Sequence, residues 1–253
     1  MPINSLGLGM IVGTALLTLV VLWMVRRSIP VERLQHSHDL TVFCGTIAGT
    51  VYAVILAFIL FAAWNDFTTA QTVATDEAVA LENTAYIGQG LPDPVRAQFE
   101  ADARKYARLV IDQEWPAMAR GEVSPAVRQT LENMGEEVLR ARAIPGADPM
   151  ILDHLITYLA VLQAKRQTRL LESQSALPPI LWIVLIAGAV VTLMFSILVA
   201  TGDFAVHALH TVLLAALLAL VLVSIQDIRS PFSGAVRVDA SYMQKTLERL
   251  PTR

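Results

Sequence analysis

Apolar positions dominate four stretches of this chain, residues 6–25, 41–64, 179–200 and 205–225, and none holds a lysine or arginine in its interior. Each is close to the ~20 residues a helix needs to cross the hydrocarbon of a bilayer. Between the second and third stretches the pattern turns from continuous to periodic. Val95, Phe99, Ala103, Tyr106 and Val110 recur at helical spacing, with Ala107 widening the stripe, which predicts an amphipathic helix. Ser124-Pro125 predicts the start of another, with serine as N-cap and proline at the first helical position, ended by Ile144-Pro145-Gly146. A further helix from Asp148 to about Ser175 carries Ile151, Leu155, Tyr158, Leu159 and Leu162 and is stopped by Pro178-Pro179. Residues 65–86 contain neither glycine nor proline, so the second apolar stretch is expected to continue as helix up to the breaker GQGLPDP at 88–94. No alternating strand pattern or internal repeat interrupts this reading.

The expected fold is therefore an all-α membrane protein. Four transmembrane helices form two hairpins (spans 6–25 with 41–64, and 179–200 with 205–225). A helical cytoplasmic domain, residues 65–177, lies between them, and a tail, residues 227–253, follows. Composition agrees: 55% of residues are hydrophobic and 16% charged, with a mean hydropathy of +0.53, where a soluble domain carries nearer a quarter charged residues. The first stretch ends in Arg26-Arg27 and lacks a basic leader or a small-residue cleavage site, as a retained helix does. Cys44, the single cysteine, lies within the second span, so no intrachain disulfide forms.

Charge bears on orientation and partners. Lys165, Arg166 and Arg169 before the third span, with Arg229, Arg237 and Lys245 after the fourth, outnumber Arg26, Arg27 and Arg33 between the first two. The positive-inside rule then places both termini and the middle domain in the cytoplasm, at a bacterial inner membrane. The Arg26-Arg27 pair beside the first span pulls the other way. Residues 66–177 hold 11 Lys and Arg against 16 Asp and Glu, a net charge of −5 within a chain total of −3. An acidic region of this kind gives no basic face for nucleic acid.

Candidate chemistry is sparse. His36, His38 and Asp39 offer metal-ligand atoms beside the membrane, yet no second histidine or cysteine cluster stands by to complete a site, and a solvated linker is the better reading. His207 and His210, three apart beside Asp203, would share a helix face, as satisfied interfacial histidines or as a pH-sensitive pair. Glu77, Glu82, Glu114, Glu132, Glu136 and Glu137 read as a solvated face or as i,i+4 partners. With no nucleophile elbow, phosphate loop, zinc-protease or dinucleotide motif present, neither an enzyme nor a cofactor is expected.

The second span is the informative element. At about 100° per residue, Gly49, Thr50, Ala53, Ala57, Leu60, Phe61 and Trp64 fall on the side of Thr46, with Thr68 and Gln71 continuing the stripe. Ala48, Val51, Ile55 and Ile59 lie opposite, on a side suited to lipid. Gly45-x-x-x-Gly49 is a small-xxx-small motif, which favours close helix packing. The same face, arranged around an axis, would line a narrow apolar passage.

VYAVILAFILFAAWNDF resembles the second membrane helix of bestrophins, where small and apolar residues line the neck of an anion channel. DIRSPFSGAVRVD, with Ser230-Pro231-Phe232-Ser233-Gly234, resembles their Asn-Pro-Phe-Gly segment. AVALENTAYIGQGLP (78–92), EWPAMARG (114–121) and SALPPILWIVL (175–185) are similar to a bacterial bestrophin-like membrane family, known as a domain of unknown function, and this likeness covers most of residues 40–240. The resemblance implies a homopentamer in the lipid bilayer whose second span lines a central pore for small anions such as chloride. The implied pore-lining residues are Thr46, Gly49, Thr50, Ala53, Val54, Ala57 and Phe61. Thr46, Thr50 and Val54 stand where bestrophins carry bulky apolar neck residues, and Phe58 and Phe61 are the nearest aromatics. The rival expectation is a non-transporting scaffold or sensor whose helical domain binds a protein partner.

Overall fold

The computed structural model describes residues 5–174, 178–199, 202–232, 234 and 236–251. The expected end of the last soluble helix at Ser175, the end of span three at Ala200, the first residues of SALPPILWIVL and Ser233 lie outside them. The described chain is helical: α1 (Ser5–Ser28), α2 (Val31–His36), α3 (His38–Gly88), α4 (Val95–Leu109), a π-helical segment (Val110–Glu114), α5 (Trp115–Met118), α6 (Pro125–Ala141), α7 (Pro149–Gln174), α8 (Pro179–Leu198), α9 (Phe204–Ile228) and α10 (Ser241–Arg249). No strand occurs among the described residues. Four of these helices are long and apolar enough to cross a membrane. The chain divides into one unit of residues 1–65 and 176–229 and a second of residues 66–175 and 230–253.

In the first unit α1 packs mainly along α9, so the first span pairs with the fourth, and α8 packs on both. The side of α3 bearing Tyr52, Ile59 and Ala63 meets Leu185 and Ala189 of α8 and Leu218 and Ile225 of α9. Bulky side chains there require a small neighbour, and Gly188 provides it: a Cβ at that position would stand 2.2 Å from the Tyr52 ring. The ring is fixed by its hydroxyl, which donates to the Leu185 carbonyl at 2.9 Å. A Gly188→Val substitution is expected to destabilise the bundle by about 1–3 kcal/mol through overpacking. A thermal unfolding scan of detergent-solubilised protein checks this, and an unchanged midpoint would contradict the contact. Asp203 caps α9, its Oδ1 accepting the Ala205 N–H at 2.8 Å and the Val206 N–H at 3.3 Å.

The second unit is built as the periodicity predicts. Phe99, Ala103, Tyr106 and Val110 are buried on the inner face of α4 and its π continuation, against Met134 of α6 and Leu155 of α7. The breaker ends α3 at Gly88, where a Cβ would fall 2.5 Å from the Phe99 ring. Ser124 occupies the N-cap position of α6 and Pro125 its first turn, but the serine hydroxyl does not cap the helix. It donates instead to Gln113 at 3.4 Å. Gly121 (φ 74°) and Gly146 (φ 87°) take the left-handed conformation that closes a helix end cheaply only for glycine. The tail belongs to this unit: α10 packs on α4, burying Met243 and Leu250.

Candidate functional site

Within one copy of the chain the face of α3 singled out by sequence is uncovered. Thr46, Thr50, Ala53, Val54, Ala57 and Phe61 are exposed, while Gly49 is half-buried. The two glycines of the Gly45-x-x-x-Gly49 motif therefore differ. A Cβ at Gly45 would press on Phe195 of α8 at 3.0 Å, whereas one at Gly49 would meet nothing within 4 Å. The side expected to face lipid needs correction. Val51 is exposed, but Ile59 is buried with Ala63 between Leu185 and Ile225, and Ala48 and Ile55 are half-covered. Lipid tails are as apolar as leucine, so hydropathy alone does not separate the two surroundings.

The hydroxyls on the open face are turned inward to the helix. Thr46 Oγ1 donates to the Val42 carbonyl and Thr50 Oγ1 to the Thr46 carbonyl, each at 2.8 Å. What the face offers outward is methyl groups, threonine oxygen lone pairs and, toward Phe58 and Phe61, aromatic edges. It carries no ionisable side chain: no Asp, Glu, Lys or Arg occurs between Asp39 and Asp66.

The histidines do not gather. His36 closes α2 and His38 opens α3, and no group of three or more potential metal ligands forms among the described residues. His207 and His210 part company. The first is buried against α1 and α8, the second exposed, with its Nδ1 2.8 Å from the Val206 carbonyl.

The largest departure from expectation lies in the second unit. Glu77 of α3 and Glu114 at the end of the π segment, read from sequence as a solvated face or as i,i+4 partners, are fully buried, as is Arg169 of α7; Arg166 is 6% exposed. Arg169 Nε and Nη2 both donate to Glu77, Nη2 also donates to Glu114, and Nη1 meets the Met118 sulfur. Arg166 grips Glu114 through Nε and Nη2 and reaches the Ser124 carbonyl at 3.3 Å. Tyr106 of α4 donates its hydroxyl to Glu77 at 2.8 Å. The Trp115 ring lies 5.0 Å from the Arg169 guanidinium, in cation–π contact. Two arginines and two glutamates thus form a neutral, closed network joining α3, α4, the π segment and α7. Arg166 and Arg169, counted above as membrane-flanking charges, are spent in this core.

Local sequence explains the placement. Pro116 has no N–H to continue the α ladder, and its ring would crowd the carbonyl four residues back. The wider π turn ahead of it relieves that crowding. Glu114 and Trp115 therefore come at the seam, and both contact the Arg169 guanidinium. On α7 the buried stripe Leu155, Leu159, Leu162 runs in register into Arg166 and Arg169. On α3 Ala70, Ala74, Ala78 and Leu81 bracket Glu77 in the same way. A charged residue in phase with an apolar stripe was the available signal.

Electrostatics follow from closure. Burial pushes the Tyr106 phenol well above its ordinary value, and the adjacent Glu77 carboxylate adds to the shift, so the hydroxyl stays a donor. Burial alone would lower the Arg169 guanidinium, but its bonds to Glu77 and the charge of Glu114 more than reverse that and raise it. The tail seals the outer side. Trp115 Nε1 donates to the Val238 carbonyl at 3.2 Å, and Phe232 of the Ser-Pro-Phe segment meets the Trp115 ring edge-on at 5.7 Å.

A family profile for a bestrophin-like domain matches residues 12–243. Among solved structures, a bacterial bestrophin homolog from Klebsiella pneumoniae with a Trp-to-Ala substitution gives a TM-score of 0.75 at 14% identity. That match covers 96% of this chain and 95% of the other. A further structure of a Klebsiella pneumoniae bestrophin homolog gives 0.72 at 15% identity, over 94% and 96%. A membrane protein with a Pro-to-Ala substitution gives 0.73 at 14%, over 94% and 96%. At such identities the likeness is one of fold. No curated protein matches.

Proposed function

Because this chain belongs to the bestrophin-like family, we propose that it is a membrane channel formed by a ring of identical copies, five in number. The membrane part of α3 lines the central pore, and small anions such as chloride pass. The carrying observation is the open face of α3. Thr46, Thr50, Ala53, Val54, Ala57 and Phe61 are left exposed by the helices of their own copy, and Gly49 is half-buried. A face of small residues is poor at filling space against lipid and suited to a close neighbour or a narrow bore. Cation pores commonly carry carboxylate rings, and this face has none. Both termini and the helical unit stand on the cytoplasmic side of the bacterial inner membrane.

Mass measurement of detergent-solubilised protein tests the ring, with a pentamer expected. A monomer or dimer is too thin to enclose a pore and would favour the scaffold reading. Chloride flux into liposomes tests conduction: proteoliposomes should exceed empty vesicles, and equality would remove the channel. A potassium chloride gradient tests selectivity. A reversal potential on the chloride side of zero is expected, and one on the potassium side would remove anion preference while leaving the channel.

A further inference from the structure

The outer sides of α6 and α7 leave a groove of about 830 Å³ between them, far more than a single water fills. Leu131 and Leu159 floor it, and the exposed Leu139 and Ile156 line it toward one end. Two features point to an occupant. Gly135 lies in the interior of α6, where glycine costs helix stability relative to alanine, yet a Cβ there would meet nothing within 4 Å. The missing side chain leaves room for another backbone to come close. Arg166, 6% exposed, lines the same groove. Its Nε and Nη2 are taken by Glu114 and the Ser124 carbonyl, which leaves Nη1 without an acceptor among the described residues. A donor held out of water without a partner is costly.

The surroundings of Nη1 say which acceptor fits. The Arg166 charge is already matched by Glu114, and on the groove wall Arg128 is paired with Glu132 at 2.8 Å and Glu136 with Arg140 at 3.0 Å. An added anion would face those carboxylates, so an uncharged oxygen suits the site better. Such an oxygen stands on α3. Val79, Asn83 and Tyr86 are exposed at i, i+4 and i+7, and the Asn83 carboxamide hydrogen-bonds to nothing among the described residues. Within one copy the two surfaces cannot meet. On α3 Ala78, Leu81 and Ala85 turn into the core, as Met134 of α6 and Leu155 of α7 do, so stripe and groove both face out of it.

We infer that the α6–α7 groove of each copy receives the Val79–Asn83–Tyr86 face of the next copy's α3, a contact that rests on the ring of copies proposed above. The next copy's Asn83 gives its Oδ1 to Arg166 Nη1, Val79 and Tyr86 cover the apolar floor, and Gly135 admits the helix closely. This is a helix laid in a groove with apolar anchors at i and i+7. It joins unlike surfaces, as a cyclic ring of more than two copies requires. It also completes the buried arginine–glutamate network with a residue from outside the copy.

Two differently tagged chains in a Cys44→Ser background test it, one carrying Asn83→Cys and the other Gln163→Cys, an exposed position on the groove. Co-expressed and oxidised with copper phenanthroline, they should give disulfide-linked dimers bearing both tags, since a disulfide needs Cβ atoms about 4 Å apart. Either chain alone should give none, because a head-to-tail contact keeps like positions apart. Adding Gly135→Leu to the groove chain should cut the mixed dimer by about tenfold or more. Its unfolding midpoint should hold or rise, because leucine favours helix and meets no neighbour in its own copy. Mass measurement runs alongside. A pentamer without mixed dimers, or with mixed dimers that Gly135→Leu leaves unchanged, overturns the groove contact and leaves the ring. A monomer or dimer overturns both.

Discussion

Arg169→Ala is expected to be the most destabilising single substitution in the helical unit, at about 3–5 kcal/mol. At about 2–4 °C per kcal/mol for a chain of this size, the unfolding midpoint should fall by about 6–20 °C. Coulomb attraction alone does not explain the size. Removing the guanidinium strips Glu77 of two donors and leaves that carboxylate, fully buried, with only the Tyr106 hydroxyl. Glu114 fares better, since Arg166 still holds both its oxygens. The loss is therefore dominated by one uncompensated charge out of water, which costs more than the intact pair ever contributed.

Two controls separate this account from a general loss of packing. Arg169→Met with Glu77→Gln removes both members and should recover much of the lost stability, because no ionised group is then left without a partner. Arg128→Ala breaks another direct ion pair, 2.8 Å to Glu132, but with side chains 75% and 49% exposed. It should move stability by no more than about 0.5 kcal/mol. Calorimetric or fluorescence-monitored unfolding in detergent decides. If the Arg169 and Arg128 variants fall by similar amounts, burial is not the governing variable.

The membrane helices were legible because length and hydropathy need no tertiary information: about 20 apolar residues must lie in lipid or in a core that replaces it. Helical periodicity was equally sufficient for α4 and α7, Ser124-Pro125 and Ile144-Pro145-Gly146 bounded α6, and the breaker at 88–94 ended α3 where glycine meets Phe99. What stayed hidden was decided by pairing. Glu77 and Arg169 are separated by 92 residues, and nothing local says that either charge will be neutralised. Each sits in phase with an apolar stripe, so the residue type masked a pattern already present. EWPAMARG was recognisable as a segment, yet its content is structural: Glu114, Trp115 and Met118 are three contacts of one guanidinium. The α3 wheel failed for a different reason. Ile59 and Val51 are equally apolar, and only the positions of α8 and α9 decide that one is buried and the other open.

Thr50→Trp should reduce chloride flux in proteoliposomes by roughly tenfold or more while leaving the fold of each copy intact. Thr50 is exposed in its own copy, and its hydroxyl bonds only to the Thr46 carbonyl, so no helix contact is lost when the side chain grows. In a ring of copies the same position would recur around the axis. Several indoles would then share a bore lined by small residues, and an apolar constriction expels water and blocks ions. Val51→Trp is the matched control: Val51 is 55% exposed but lies about 100° further round the helix, away from the small-residue face, so its flux should stay near the unsubstituted value. Mass measurement of both variants is needed alongside flux, because a bulky residue on a packing face would lower flux by dispersing the ring. Loss of flux with the ring intact supports Thr50 as pore-lining. Loss of the ring would assign the face to packing between copies, and unchanged flux with an intact ring would move the pore away from α3.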